Sequence, residues 1–214
     1  MADHRRAEQS RPLRPPCSER GSSMVEMALI FAITFPMLLG VAGLGMQLSW
    51  TLGATQVTRD VAHMYALGTD FSLAGAQSIA TTLSRDFSLT ASGNAELILS
   101  QIMTVYQADC TAQGLKSCPN ANQSVFTQRL ILGNPSLRAS AYGTPPSNYL
   151  DSRGYITPTN YLQQSSLIAN GFSAVMSLQD GQVAYLVEGY YSMPQLNLLN
   201  QASNSGGYYV RFVF

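Results

Sequence analysis

The stretch Arg20-Gly21-Ser22-Ser23-Met24-Val25-Glu26, with the apolar run of residues 27–48 behind it, decides the fold of this chain. The run contains no charged side chain. As a helix, its 22 residues extend roughly 33 Å at about 1.5 Å per residue, enough to cross a hydrocarbon core of about 30 Å. The sequence therefore predicts one transmembrane helix. Glu26 is the single charge at its edge, and a charge is costly near lipid, so Glu26 is a candidate functional residue.

The charges on either side of the run predict its orientation. Residues 1–21 hold five arginines against three acidic residues, and the rest of the chain holds seven basic and nine acidic residues. A basic flank before a membrane helix favours a cytoplasmic N-terminus, which places the remainder in the periplasm. The mildly acidic remainder lacks a basic stripe, which argues against a nucleic-acid partner.

The first 21 residues are predicted to be a leader rather than a domain. They are polar and basic and contain three prolines. A conventional secretory signal has an apolar region of about 7–15 residues, and the run here is too long for that class. The predicted organisation is a leader at 1–21, a transmembrane helix that continues outside the membrane at 22–68, and a periplasmic domain at 69–214.

Small residues recur along the predicted membrane helix. Ala28, Ala32 and Gly40 follow a four-residue spacing, with Pro36 between them. Small residues on one face let membrane helices approach closely, but Ala and Gly are also common in such helices without a packing role, and the sequence leaves both interpretations open. Pro36 removes one backbone hydrogen bond and is predicted to kink or loosen the helix.

Beyond the membrane the helix is predicted to continue to a stop at Gly68. An apolar stripe indicates that this part packs against the following domain, and its members are Trp50, Ala54, Val57, Val61 and Met64. Arg59, Asp60 and His63 lie off the stripe, so we expect a solvated face there.

The rest of the chain predicts an α+β domain with an antiparallel sheet of four to five strands. A second helix is expected over residues 72–87, with Asp70 as its N-cap, and a weaker short helix over 161–169. Alternating or β-branched runs predict strands at residues 96–106, 124–132, 182–192 and 208–214, with 175–178 as a hairpin partner for the third of these.

Two features of the domain leave alternatives open. Cys110 and Cys118 lie in a polar loop between the first two predicted strands and are expected to form a disulfide in an oxidising compartment. The alternative is a pair of free thiols. The irregular segment 133–161 is rich in tyrosine, and it is either a contact surface or a loop whose rings pack onto the sheet.

No constellation of catalytic, cofactor-binding or metal-ligating residues is recognisable. His63 has no nucleophile paired with it by a known motif, and there is no phosphate-binding loop and no cluster of Cys and His at ligand spacing. The sequence therefore predicts a protein that is not an enzyme and uses no cofactor.

The N-terminal region resembles the processing site of type IV prepilin-like proteins. Its basic leader ends at Gly21, and a carboxylate, Glu26, stands at the fifth position of the shortened chain, before a long apolar helix. Within that superfamily the chain is most similar to the TadE-like minor pilins, or pseudopilins, of tight-adherence (Flp) pilus systems. Pro36 inside the helix and the stretch 58–62 also fit that group.

The resemblance implies a function at the membrane. A prepilin peptidase would cut between Gly21 and Ser22, and Glu26 would pair with a freed α-amine and guide the subunit into a fibre. The implied partners are that peptidase, other pilins or pseudopilins, the assembly platform and membrane lipid. The implied location is the bacterial inner membrane, crossed once, with possible incorporation into a pilus. A different class stays open, an uncleaved single-pass membrane-anchored periplasmic binding or adaptor module.

Overall fold

The computed structural model describes residues 22–192 and 206–214. Its elements are predominantly one long helix, one short helix and one sheet, so the predicted α+β class is confirmed. The chain divides into two units, one that ends at Gly45 and one that covers Met46–Phe214. The first unit contains the start of the long helix, and the second contains the end of that helix and the whole sheet.

Helix α1 covers Ser22–Ala66 and has Pro36 inside it. Its end is a Schellman motif, because the Gly68 N–H donates to the Tyr65 carbonyl and the Thr69 N–H donates to the Met64 carbonyl, both at 3.0 Å. Gly68 has φ +89°, a left-handed conformation that disfavours a side chain. The predicted stop at Gly68 is therefore confirmed.

The sheet has four strands, all antiparallel, in the order β2-β1-β3-β4. The strand bounds are β1 Ala95–Thr104, β2 Ser124–Gly133, β3 Val183–Ser192 and β4 Gly207–Val213. Each lies within about two residues of its predicted position. Strands β1 and β2 are antiparallel neighbours, and the last strand lies at an edge.

The predicted hairpin between residues 175–178 and β3 is wrong. Strand β3 pairs with β1 and β4, and residues 175–178 form no strand. The segment instead contributes Leu178 to the core, and the Leu178 carbonyl accepts a hydrogen bond from the Tyr106 hydroxyl at 2.8 Å. Tertiary contacts therefore decide its conformation, and the turn at Gly181 leads into a strand whose partners are distant in sequence.

One face of the sheet is covered by the second half of α1 and by helix α2, Ala74–Leu83. The predicted apolar stripe of α1 is confirmed, since Ala54, Val57 and Val61 are buried and Trp50 and Met64 pack against the same cluster. The sheet contributes Leu97, Leu99, Val187 and Tyr191 to this core.

Helix α1 approaches the sheet closely at Gly189 in β3. A Cβ built there would collide with the Thr58 hydroxyl oxygen and come within 2.9 Å of the Tyr191 ring. The Thr58 and Tyr191 hydroxyls are hydrogen-bonded at 2.7 Å, and both residues are buried. The glycine therefore makes room for a polar contact that joins helix and sheet.

We expect Gly189→Ala to lower the free energy of unfolding by about 1–3 kcal/mol, because overpacking forces Thr58 and Tyr191 apart. Denaturant unfolding followed by circular dichroism measures the change. Gly75→Ala is the matched control, since a Cβ at Gly75 meets nothing within 4 Å. That control is expected to be neutral or stabilising in a helix. Equal stability of the two variants would contradict the close approach.

Helix α2 is shorter than the predicted 72–87, and Asp70 is not its N-cap. The N-cap position is Leu73, which has no side-chain cap. Asp70 instead accepts hydrogen bonds from the backbone N–H and the hydroxyl of Ser72, a local turn that competes with helix. Among the apolar residues of this region, Ala80 is buried and Ala76 packs against the first core, whereas Leu73 and Ile79 are exposed.

The opposite face of the sheet is covered by the segment between β2 and β3. The predicted helix over 161–169 is wrong in its bounds, since the structure has helix α4 at Pro158–Gln163 and a separate 3-10 turn at Ser165–Leu167. Proline at the first helical position favours this earlier start. The buried apolar side chains of this second core include Phe126, Ile156, Leu167, Phe172 and Leu186.

Candidate functional site

The N-terminal candidate site comprises Gly21, Ser22 and Glu26. Gly21 lies outside the described residues, and Ser22 is the first residue of α1. Glu26 follows four residues later, which is about one helical turn, or roughly 6 Å along the axis. Its side chain is exposed, and among the described residues it takes part in neither of the two ion pairs.

The four positions predicted for packing in the membrane, Ala28, Ala32, Pro36 and Gly40, are all exposed. A Cβ at Gly40 would meet nothing within 4 Å. The large apolar side chains of the same stretch are also exposed, for example Leu29 at 63%. This helix is long and apolar enough to cross a membrane once, so it is compatible with a single-pass anchor. The role of the small residues stays a prediction.

The disulfide between Cys110 and Cys118 is present, with the two Cα atoms 5.9 Å apart. Cys110 belongs to the short helix α3, Gln107–Ala112, and is buried against Val125 and Leu162. The bond closes the connection between β1 and β2 and ties it to the core. The predicted pairing is therefore confirmed.

A second polar centre, which sequence reasoning missed, is buried on the loop-covered face of the sheet. Arg129 Nη1 of β2 lies 3.9 Å from Glu188 Oε2 of β3, and both side chains are nearly inaccessible. Glu188 also accepts hydrogen bonds from the Ala141 N–H at 2.9 Å, from the Tyr209 hydroxyl at 2.7 Å and from the Ser140 hydroxyl. Three donors and a guanidinium thus surround one carboxylate.

Arg129 also binds the loop formed by residues 138–143. Its Nη2 donates to the Gly143 carbonyl at 2.7 Å, and its guanidinium carbon lies 4.4 Å above the Phe126 ring. Burial lowers the pKa of Arg129 to about 10, so the side chain keeps its charge at neutral pH. The ion pair therefore fixes residues 140–143 against the sheet.

A further buried carboxylate, Glu96 of β1, holds the start of the same loop. Its Oε2 accepts the Arg138 N–H at 2.9 Å. Burial raises the pKa of Glu96, and the nearby Glu188 carboxylate raises it further. The Arg138 guanidinium in turn lies 4.2 Å above the Tyr209 ring. The whole cluster positions residues 138–143 against the sheet.

The tyrosines of segment 133–161 mostly pack onto the domain. Tyr142 is buried, its ring lies 5.6 Å from that of Phe172, and its hydroxyl is bonded to Arg211. Burial raises the pKa of Tyr142. Tyr149 and Tyr161 are half-buried against the second core, and Tyr155 is the most exposed of the four. Of the two alternatives, packing onto the sheet describes this segment better.

A sequence signal for the buried charges did exist. Glu96 and Glu188 each interrupt an otherwise uncharged strand, and both would stand on the same side of a pleated sheet as apolar neighbours at i ± 2. The sequence does not show the register of the strands. In the structure that register places Glu188 opposite Ile98 of β1 on one side and opposite Arg211 of β4 on the other.

No group of three or more His, Cys, Asp or Glu side chains arranged to hold a metal ion occurs within residues 22–192 and 206–214. His63 is exposed, and its ring lies 6.2 Å from that of Phe214 in an edge-on arrangement.

Comparison with protein-family models, with curated proteins and with solved structures gave no match. Fold and site define the chain as an α+β domain on a long apolar N-terminal helix.

Proposed function

We propose that this chain is a minor pilin or pseudopilin-like structural protein that a prepilin peptidase processes for assembly of a tight-adherence (Flp-type) pilus. The observation that carries the proposal is the coincidence of three features at one point. The basic leader ends at Gly21, Ser22 and Glu26 lie one turn apart in helix α1, and the apolar surface of that helix is exposed.

The chemistry proposed for this site begins with hydrolysis of the peptide bond between Gly21 and Ser22. Glycine suits that position because a Cβ would crowd the scissile carbonyl in a protease pocket. The cut frees the α-amine of Ser22, and an α-amine has a reference pKa of about 8, so it is largely protonated at neutral pH. This chain is then the substrate of the peptidase.

Glu26 supplies the opposite charge. On insertion scales a charged residue at the centre of a membrane helix costs about 2.5–3.5 kcal/mol. Pairing the Glu26 carboxylate with an α-amine, its own or that of a neighbouring subunit, offsets that cost. A neighbouring amine gives the subunit a reason to dock, and the exposed apolar helix supplies the surface along which it does so.

The proposed location is the bacterial inner membrane, with the leader in the cytoplasm and the disulfide-bonded domain in the periplasm. The proposed partners are the prepilin peptidase, other pilins or pseudopilins and the assembly platform.

Gly21→Ala is expected to block processing and leave a product about 2 kDa larger, since 21 leader residues of about 110 Da each are retained. Immunoblotting of membrane fractions and mass spectrometry of the N-terminus measure this. Ser23→Ala, two residues away, is the matched control and should be cut normally. Identical masses for Gly21→Ala and the natural chain would overturn the processing claim. An intact start at Met1 in the natural chain would instead support the uncleaved anchored module.

A further inference from the structure

The outer edge of strand β2 is covered by a later segment of the same chain. At the start of β2, the Ala169 N–H donates to the Ser124 carbonyl at 2.8 Å, and Ile168 forms an antiparallel bridge with Val125. These residues follow directly on helix α4 and the 3-10 turn at Ser165–Leu167. An uncovered strand edge is a template for pairing with other chains, so the position of α4 decides whether this edge is protected.

Helix α4 depends on partners outside itself. It has six residues, and isolated helices shorter than about 12–15 residues are marginal in water. The carbonyls at its C-terminal end have no partner within the helix. Asn120 supplies one from the connection between β1 and β2, since its Nδ2 donates to the Tyr161 carbonyl at 2.8 Å and to the Gln164 carbonyl at 2.9 Å. Asn120 is fully buried, so both bonds lie in the interior of the domain.

The disulfide positions Asn120 from one side. Asn120 lies in the turn 118–121, in which the Ala121 N–H donates to the Cys118 carbonyl at 3.1 Å. Cys118 is bonded to Cys110, which is fully buried on α3. A series of direct contacts therefore leads from α3 through the disulfide and Asn120 to the C-terminal end of α4.

The same turn is held from the other side by the strands. The Gln123 N–H donates to the Asn120 carbonyl at 3.0 Å, and the Asn122 N–H donates to the Val105 carbonyl at 2.8 Å. Within the part of the chain that the structure describes, residues 116–119 form no backbone hydrogen bond to α3. The disulfide is therefore the bond that ties this segment to α3.

We propose that the disulfide between Cys110 and Cys118 is a redox latch that closes the edge of β2. With the bond formed, Asn120 caps α4, and the residues after α4 cover the start of β2. With both cysteines as thiols, the turn 118–121 is released from α3, α4 loses its external donor, and the edge at Ser124 opens. The inference goes beyond pilus assembly and requires only an oxidising compartment.

Closing the latch is a thiol–disulfide exchange with a donor disulfide, either a protein or a small molecule. Cys118 is half-buried and Cys110 is fully buried, so the Cys118 thiolate is the more accessible nucleophile. It attacks one donor sulfur, the S–S bond of the donor breaks, and a mixed disulfide forms. The Cys110 thiolate then attacks Cys118 Sγ and displaces the remaining donor sulfur. The chain loses two electrons and two protons, and the donor gains them as two thiols.

Amide hydrogen exchange of the full chain in detergent tests the latch, with Cys17→Ser so that one cysteine pair remains. The N–H groups of Gln164 and Ala169 report on α4 and on the covered edge. The control is the Asn134 N–H, which donates to the Ala95 carbonyl at 3.0 Å beyond the other end of β2. Reduction with dithiothreitol is expected to speed exchange of the two latch amides by at least about tenfold, the result of losing two buried hydrogen bonds, and to leave Asn134 nearly unchanged.

Asn120→Ala separates the amide from the disulfide. With the disulfide intact, this variant should speed exchange of the same two latch amides, because alanine has no side-chain donor. Gln123→Ala is the matched control, since the Gln123 side chain is exposed in the same connection, and it should change neither amide.

Three results would overturn the inference. The first is unchanged exchange of the latch amides after reduction. The second is equal acceleration at Asn134, which would mean a loss of global stability instead of a local opening. The third is acceleration on reduction with none in Asn120→Ala, which would break the link from the disulfide to α4. None of these results bears on cleavage of the leader, so the latch and the proposed function fail separately.

Discussion

Glu188→Ala is expected to lower the free energy of unfolding by about 3–5 kcal/mol, the usual cost of removing one partner of a buried ion pair. The substitution leaves the Arg129 guanidinium buried without its carboxylate. It also removes the acceptor of three hydrogen bonds, whose donors are Ser140, Ala141 and Tyr209. Chemical unfolding of the full chain in detergent, followed by far-ultraviolet circular dichroism, measures the loss.

The reciprocal change, Arg129→Met, is expected to cost less. Glu188 would keep its three donors, and methionine fills part of the space beside Phe126. An acid on the surface, Asp86→Ala, is the matched control and should change stability by no more than about 0.5 kcal/mol, because Asp86 is exposed. A cost below about 1 kcal/mol for Glu188→Ala, or an equal cost for Arg129→Met, would contradict this account of the cluster.

The elements that the sequence predicted well are those with a strong local period. The charge-free run 27–48 specifies a helix by length alone, and the stripe from Trp50 to Met64 repeats every three or four residues, so its buried side follows directly. Gly68 terminates α1 because only a residue without Cβ adopts φ +89° without strain. Local chemistry suffices for these features, and the structure agrees with each of them.

The features that the sequence did not predict depend on residues far apart in the chain. Residues 175–178 are apolar enough for a strand, yet Leu178 is drawn into the second core. From the sequence, Glu188 is an isolated acidic residue in a strand. Only the strand register places it opposite Arg211 and near Arg129. Register and loop packing are global properties, so no short window of sequence contains them.

The proposed processing site stands between these two cases. Gly21, Ser22 and Glu26 form a local pattern, and α1 places the last two one turn apart on the same helix. What the pattern leaves open is whether the pairing amine belongs to the same subunit or to its neighbour. Substitution of Glu26 separates effects on membrane insertion from effects on assembly.

Glu26→Ala is expected to abolish incorporation into pili while leaving leader cleavage and membrane levels nearly unchanged. Removing the carboxylate relieves the cost of a charge at the edge of the membrane helix, which is smaller than the roughly 2.5–3.5 kcal/mol at its centre, so the helix enters the bilayer at least as well as before. What is lost is the attraction to an α-amine, which is the proposed reason for docking. Immunoblotting of sheared pili against membrane fractions measures incorporation, and mass spectrometry of the N-terminus measures cleavage.

Glu26→Gln decides which property of the side chain matters. Glutamine keeps the size and hydrogen-bonding capacity of glutamate but cannot form an ion pair, so it should fail in assembly as alanine does. Glu26→Asp keeps the charge on a shorter side chain and should retain part of the function. Normal piliation by the glutamine variant would exclude the ion pair and reduce Glu26 to a polar residue at the membrane edge. Docking would then rest on the apolar surface of α1 alone, which gives attraction but no means of fixing the axial position of one subunit against the next.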